Sequence, residues 1–446
     1  VTSDRRIAVI GGGITGLAAA HAVVAAGADV TLFEAGSRFG GMILTTPFAG
    51  HPAIDEGADA FLARVPWAVD LAREVALGDS LTSPAVGKAA VWWNGLHDIP
   101  EGLLLGLPTE LASLARSSLI SRRGKLRAAT EIFRLRTDIG ADSIGAYVRA
   151  RFGDEVHERL VDPLIGSIYA ADTDNFSLAT IPQLAEVATR SRSVLLASGA
   201  PAAGASGPVF YAPTEGVGQL VDAVSSDVAA NGGDLRFDAA ISELAIDRND
   251  WRVDGEVFDS VVLACPARAA AGLLAPVDPS AAATISAIPS AGVALVTLAL
   301  PADGWPIRLR GLSGYLVPKP QQRLVTAVSF ASQKWAHLDG AGHVILRVSL
   351  GRDGLSALHL SDDDLLADVL DELKLHIRFD AQPLAVRISR WPHAFPQYRP
   401  HHGTTIASVE RSLPPGIRLA GASYHGIGIP ACIRSGQQAA VAMLHR

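Results

Sequence analysis

The chain opens on a clean alternation of apolar and glycine-rich positions. A short apolar run, Ile7 to Ile10, has strand length and β-branched character. Gly11, Gly13 and Gly16 follow in G-x-G-x-x-G spacing, and an alanine-rich stretch from Ile14 to about Ala26 reads as a helix. A second apolar run, Val30 to Phe33, ends at Glu34. The pattern predicts a βαβ unit with an acid ~20 residues past the fingerprint.

Each position in that unit has a physical job. Gly11 permits the tight turn, Gly13 lets backbone approach a pyrophosphate, and Gly16 allows close helix–strand packing. The helix start, Gly12 to Thr15, offers unpaired N–H groups and a positive dipole end to phosphates. Glu34, beside Ala35, can accept from both ribose hydroxyls, and its charge disfavours the 2′-phosphate of NADP. NAD and FAD both remain open at this point. Arg38, Gly40 and Gly41 tip the balance to FAD, because a second glycine pair brings more backbone to the same diphosphate, with Arg38 placed to assist.

Further along, FAGHPAIDEGADAFL holds two short extended pieces punctuated by Asp55, Glu56 and Gly57. From about Pro66 to Ala197 the apolar spacing is mostly helical, and 199–208 has linker composition. Segment 291–352 alternates in a β-rich manner, and 361–377 reads as a helix capped by Ser361. The last stretch reads as strand, glycine turn (Gly421, Gly426, Gly428) and helix, a second helix N-terminus expected at the flavin end. The expected division is 1–65, 205–280 and 386–446 for one FAD-binding domain, 66–204 for a helical cap that faces substrate or membrane, and 281–385 for a β-rich substrate domain.

Composition changes this picture little. With 446 residues, 49% hydrophobic and 19% charged, the chain can bury a large core. A net charge of −7 gives no reason to expect nucleic acid. Cys265 and Cys432 build no disulfide framework, which suits a reducing compartment. Six residues precede the first strand, too few for a leader, and no apolar run reaches the ~20 residues of a membrane span. A soluble cytoplasmic protein is expected, with peripheral membrane contact left open.

The extended pattern E-x-x-x-R-x-G-G is similar to that of the flavin amine oxidase superfamily. Over essentially the whole chain the pieces DEGADAFL, RFGDEVHERLVDPLIGSIYAAD, YAPTEGVGQLVDAV, SGYLVP, SFASQKWAH, RWPHAFPQY and LAGASYHGIGIPACIRSGQQAA resemble the FAD-dependent porphyrinogen oxidases of heme biosynthesis. The resemblance is greatest to the Gram-positive and actinobacterial type, which forms coproporphyrin III. It implies an α/β fold, a Rossmann-like FAD-binding domain carrying an inserted α+β substrate domain and a helical cap. It also implies a tetrapyrrole substrate, O2 as acceptor and a ferrochelatase as candidate recipient of the product. Gly11 to Gly16 and Glu34 would hold the ADP half of FAD, with Gly41 and Met42 at the diphosphate and ribityl chain. Gly57, Ala58, Asp59 and Ala60 would lie near the isoalloxazine, and Ile241 would present its backbone to the adenine. Trp391 would pack by the flavin, Ile427, Gly428 and Ile429 would cover its pyrimidine edge, and Gly421 and Ser423 belong to the same turn. Gly166 and Leu316 would line the tetrapyrrole cavity.

No acid–base residue is assigned. The family reaction takes a hydride from a meso carbon to the flavin while a pyrrole N–H gives up its proton, in three rounds. The sequence shows no Ser-His-Asp order, metal-spaced His or Cys set, or paired-carboxylate motif. His401 and His402 are adjacent and point apart, and His425 alone is worth watching near the flavin. Coproporphyrinogen carries four propionates and protoporphyrinogen two, and Arg64 and Lys88 are candidates to pair with them. Arg116, Arg122, Arg123, Lys125, Arg127, Arg134 and Arg136 outnumber Glu110 and Glu131 in 102–136; they read first as a solvated face, otherwise as steering for an anionic substrate or a contact with acidic lipid. The rival readings are protoporphyrinogen IX oxidase, an amine or carotenoid oxidoreductase (which needs an aromatic cage or a flavin-bridging lysine, the nearest being Lys334) and a non-enzymatic tetrapyrrole carrier.

Overall fold

Chain segments far apart in sequence share one parallel sheet. In the computed structural model, which describes residues 5–135, 137–190, 192–197, 207–340 and 342–445, the strands run 234–236, 29–33, 6–10, 260–263, 417–419 across this sheet. Every neighbouring pair is parallel. The strand Arg6–Ile10 lies at its centre, with Ile7, Ala8 and Val9 fully buried, as a parallel strand covered on both faces requires. The helix Ile14–Ala25 covers one face and packs against the C-terminal helix Ile429–Leu444. Their approach is close: a Cβ on Gly436 would collide with the Thr15 carbonyl oxygen.

A seven-stranded sheet forms the second body, in the order 385–396, 290–301, 343–350, 325–330, 314–316, 89–92, 96–98. It is antiparallel except where Gly314–Leu316 runs parallel to Ala89–Trp92. The helix Asp362–Ile377 packs on one face through Leu365, Val369, Leu373 and Ile377. Ser361 Oγ accepts from Asp364 N–H at 3.2 Å, the N-cap that the sequence predicts. On the other face the hairpin Thr45–Phe48 and His51–Asp55 buries Phe48 and Ile54 against Ala299, Trp335 and Ile345.

The mostly helical character expected for 66–197 is found over Pro66–Glu74 and from Leu111 onward, whereas short strands lie between, in 81–108. Ala89–Trp92 contributes Ala90 and Val91 to two different hydrophobic clusters, so its alternation serves a sheet buried on both sides. The strand Ala385–Pro396 likewise lies in the seven-stranded sheet across the expected boundary at 386. The expected linker lies outside the described residues apart from Gly207 and Pro208, as does Arg136. Among the described residues no helix is long and apolar enough to cross a membrane.

Candidate flavin and substrate site

Three glycine-bearing loops supply the candidate site. The first is the turn after the central strand. Gly11 has φ +110°, and a Cβ there would sit 2.8 Å from the Ala264 carbonyl carbon. A Cβ on Gly16 would run into the Gly11 carbonyl oxygen, whereas one on Gly13 would meet nothing within 4 Å. Ile14 and Thr15 turn their side chains inward, leaving the helix start as bare backbone. No side chain caps that start, so its N–H groups are free for an anion. Glu34 accepts from Gly12 N–H at 2.7 Å and Gly36 N–H at 2.8 Å. Gly40 N–H donates to the Gly12 carbonyl at 2.8 Å, which lays the second glycine pair along the first turn. Arg38 spends its guanidinium on the carbonyls of Phe39, Gly41 and Ile43, so its direct work is to hold that loop, with exposed Ala35 beside it. Ala239 N–H donates to the Glu34 carbonyl at 2.8 Å, bringing half-buried Ile241 to the same edge.

The second loop, 55–60, is held by the large sheet. Trp391 Nε1 donates to the Glu56 carbonyl at 2.8 Å, and Arg347 Nη2 to the Gly57 carbonyl. Glu56 takes Thr46 Oγ1 and Ser389 Oγ at 2.6 and 2.7 Å. Asp59 is bonded by Lys334 Nζ at 2.9 and 3.1 Å, Arg347 Nη1 at 2.9 Å and Trp335 Nε1 at 3.2 Å. Burial pushes its carboxyl up, but the two cations overturn that and hold it well below the usual carboxylate range. A Cβ on Gly57 would strike the Met42 carbonyl oxygen, so this loop touches the first. Ala60 packs with the hairpin cluster, two residues after Ala58.

The third loop precedes the C-terminal helix. Gly421, Gly426 and Gly428 all have positive φ, between +104° and +119°. Gly421 N–H donates to Ser435 Oγ at 2.9 Å, tying the turn to its own helix. Tyr398 Oη accepts from Gly426 N–H at 2.8 Å and donates to the Ala422 carbonyl at 2.5 Å, so one phenol spans the turn. Ser423 Oγ is occupied by Ala267 N–H at 3.1 Å. Ile427 packs on the helical cluster, Gly428 faces open space, and Ile429 begins a helix without a side-chain cap.

A family model described as flavin containing amine oxidoreductase matches residues 14–444. The chain belongs to this family. It is 32% identical to the coproporphyrinogen III oxidase of Bacillus subtilis (strain 168), over 98% of this chain and 97% of that one. It is 33% identical to the coproporphyrinogen III oxidase of Mycobacterium leprae (strain TN), over 99% and 98%. A crystal structure of a putative protoporphyrinogen oxidase from Exiguobacterium sp. 255-15 superposes with a TM-score of 0.87 at 29% identity, covering all of both chains. This flavin amine oxidoreductase is therefore an FAD-dependent oxidoreductase with the amine-oxidase-like fold.

The residues fit the cofactor. Open space at Gly13 and Gly428, each before an uncapped helix, suits a diphosphate at one end and an electron-rich ring edge at the other. The candidate substrate residues are less uniform. Lys88 Nζ bonds Asp98 at 2.9 Å on the surface, and Arg64 is exposed without a partner among the described residues. Gly166 is buried with the Arg352 guanidinium over it, so the neighbouring Leu164, Ser167 and Ile168 form the more open side of that helix. Leu316 is half-buried in its strand. In the basic segment, Arg127 donates to the carbonyls of Arg149, Ala150 and Arg151, closing a helix C-terminus rather than facing solvent. Arg116 and Lys125 also bond carbonyls, and Glu131 is fully buried on Arg151.

The histidines take no part in a shared site. His425 is paired with Glu410 at 2.8 Å, His401 N–H donates to Asp142, and His402 stacks on Tyr398 at 4.0 Å between centroids. Sequence reasoning passes over Arg347, Trp335 and Tyr398. One signal was present: Arg347 interrupts the apolar strand VILRVSL, and a buried guanidinium there demands a partner.

Proposed function

We propose that this flavoenzyme oxidises coproporphyrinogen III to coproporphyrin III with O2, releasing H2O2. What carries the reading is the end-to-end match to two coproporphyrinogen III oxidases. Local chemistry is consistent with it: Glu34, Asp55, Glu56, Asp59, Lys334 and His425, around the three loops, are each engaged in hydrogen bonds or ion pairs within the protein.

The overall reaction removes six electrons and six protons, and three O2 take them up as three H2O2. FAD, when bound, supplies the hydride acceptor for each round. The chain supplies placement. Gly11–Gly16 and Glu34 hold the ADP half, Gly57–Ala60 and Trp391 support the ring system, and Ile427–Ile429 close its edge. The macrocycle lies against Leu316 and the open side of the helix that carries Gly166, placed so that a meso C–H faces the acceptor. Arg64 and Lys88 pair with propionates, Lys88 by exchanging Asp98 for substrate. Measured kcat/KM should favour coproporphyrinogen over protoporphyrinogen; the reverse preference would overturn the substrate assignment. Lys334, bonded to Asp59 through both carboxylate oxygens, is committed elsewhere, which argues against an amine oxidase using it as a flavin-bridging lysine.

The segment bearing Arg122, Arg123 and Arg134 also exposes Leu126, Phe133 and Leu135, at 71%, 80% and 83%. Such a face suits peripheral contact with an anionic bilayer, and the product suits hand-over to a ferrochelatase. Equal sedimentation with neutral and anionic vesicles would count against the first. Free porphyrin building up ahead of metallated product in a coupled assay would count against the second.

A further inference from the structure

The charge cluster at the loop 55–60 takes no part in hydride or proton transfer in the chemistry above, yet it is heavily bonded. Asp59 is surrounded by Lys334, Arg347 and Trp335, contributed by the short helix Ala331–Lys334, the residue after it and the strand His343–Leu350. Glu56 is balanced by Arg387 at 3.7 Å. Asp55 shares a cavity of about 20 Å3 with Asp59 and Arg347, but one of its oxygens is taken by Thr45 Oγ1 and Val217 N–H. Two cations thus converge on one carboxylate, and one of them, Arg347, also grips the Gly57 carbonyl. Lys334 is mostly buried, with 18% of its side chain exposed, so solvent screens the cluster weakly.

We infer that Asp59, Lys334 and Arg347 are positioning residues whose charge balance sets the reduction potential of the flavin. The inference rests on the reading that the loop 57–60 lies against the isoalloxazine. A flavin gains negative charge as it is reduced, and a fixed cation in a weakly screened setting favours that state. The charge then acts from beneath the loop 57–60 rather than through a charged group set on the ring. Removing a cation lowers the potential and removing the anion raises it. Packing alone has no such opposed signature.

The test is a reductive titration against reference dyes on FAD-loaded wild type, Lys334→Met, Lys334→Arg and Asp59→Asn, with FAD affinity and thermal midpoint measured alongside. Lys334→Met should shift the two-electron equilibrium at least tenfold toward oxidised flavin, about 30 mV. Asp59→Asn should shift it the other way, and Lys334→Arg should restore the wild-type value. An unchanged potential in Lys334→Met, or shifts of the same sign in both charge variants, overturns the inference. If Asp59→Asn cannot be purified, the Lys334→Met and Lys334→Arg pair decides alone. Gly57→Ala separates this failure from that of the underlying reading: its methyl collides with the Met42 carbonyl and must disturb any flavin held there. An unaltered flavin spectrum and affinity in Gly57→Ala removes the loop from the flavin. An altered Gly57→Ala with an unmoved Lys334→Met leaves the loop in place and rejects the charge role.

Discussion

The phenol of Tyr398 illustrates how much a single buried group can hold. Its ring is stacked between Phe176, at 5.7 Å, and His402, at 4.0 Å, and its hydroxyl serves both ends of the 422–426 turn. Tyr398→Phe keeps the stack and strands a carbonyl and an N–H that have no easy substitute. An unsatisfied buried group costs about 1–3 kcal/mol. If the turn closes on the flavin, apoprotein titrated with FAD should show a dissociation constant raised about tenfold, equivalent to ~1.4 kcal/mol. An unchanged constant and flavin spectrum would detach this residue from the flavin turn.

At the scale of elements, the helical region is fastened to the large sheet by a buried ion pair. Arg352 donates to both oxygens of Asp162, at 2.8 and 2.9 Å, and to the Ala171 carbonyl. Thr173 Oγ1 donates to Asp162 at 2.7 Å and meets His157 Nε2 at 2.8 Å, where the helix widens to π geometry over His157–Val161. Burial would raise the Asp162 carboxyl, but the Arg352 bonds hold it below the usual range. Removing one partner leaves a buried charge alone, so Arg352→Met should cost about 3–5 kcal/mol in denaturant titrations. A loss below ~1 kcal/mol would mean the pair is no fastening. Legibility from sequence follows the range of the interactions. The opening βαβ unit and the Ser361 cap could be read because glycine spacing, strand length and capping act over a few residues. Asp162–Arg352 and Asp59–Lys334 join positions 190 and 275 residues apart, and nothing local marks them. Stretches that carry the resemblance, RLVDPLIGS, SQKW and PQY, hold such partners, although the resemblance names no role for them. The strand Ala89–Trp92 is hard to read for a related reason: it is buried on both faces, so its apolar residues follow one another with no polar residue between them, and its neighbours in 81–108 are only two or three residues long.

Across the whole molecule, buried titratable groups set the response to acid. His376 and His402, 5% and 6% exposed, are pushed down to about 4 by burial; His51, His157 and His337 are lowered in the same sense. An unfolded histidine takes its proton near 6.5, whereas these two stay neutral until about 4. The unfolded chain therefore binds more protons throughout that window, and stability drops as pH falls through it. The drop is on the order of 3 kcal/mol for each of the two groups. Asp55 and Glu372, raised by burial, take up protons in the folded state above pH ~4 and offset part of that histidine loss, whereas the depressed carboxyls Asp59 and Asp162 add to the loss below pH ~4. Denaturation midpoints that do not move between pH 7 and 4.5 would contradict this account.

The parallel sheet imposes an order on synthesis. Its last strand, Ile417–Leu419, pairs with Ser260–Leu263, and roughly 150 residues, including most of the large sheet, lie between them. At ~5–20 residues per second, a ribosome needs about 8–30 s to cover that distance. Throughout that interval the nascent chain already carries the glycine turn 11–16 and its helix but lacks the C-terminal helix that packs on that helix. One flank of the helix Ile14–Ala25 stays uncovered during translation, and the three glycine-bearing loops come together only after the inserted sheet has been made.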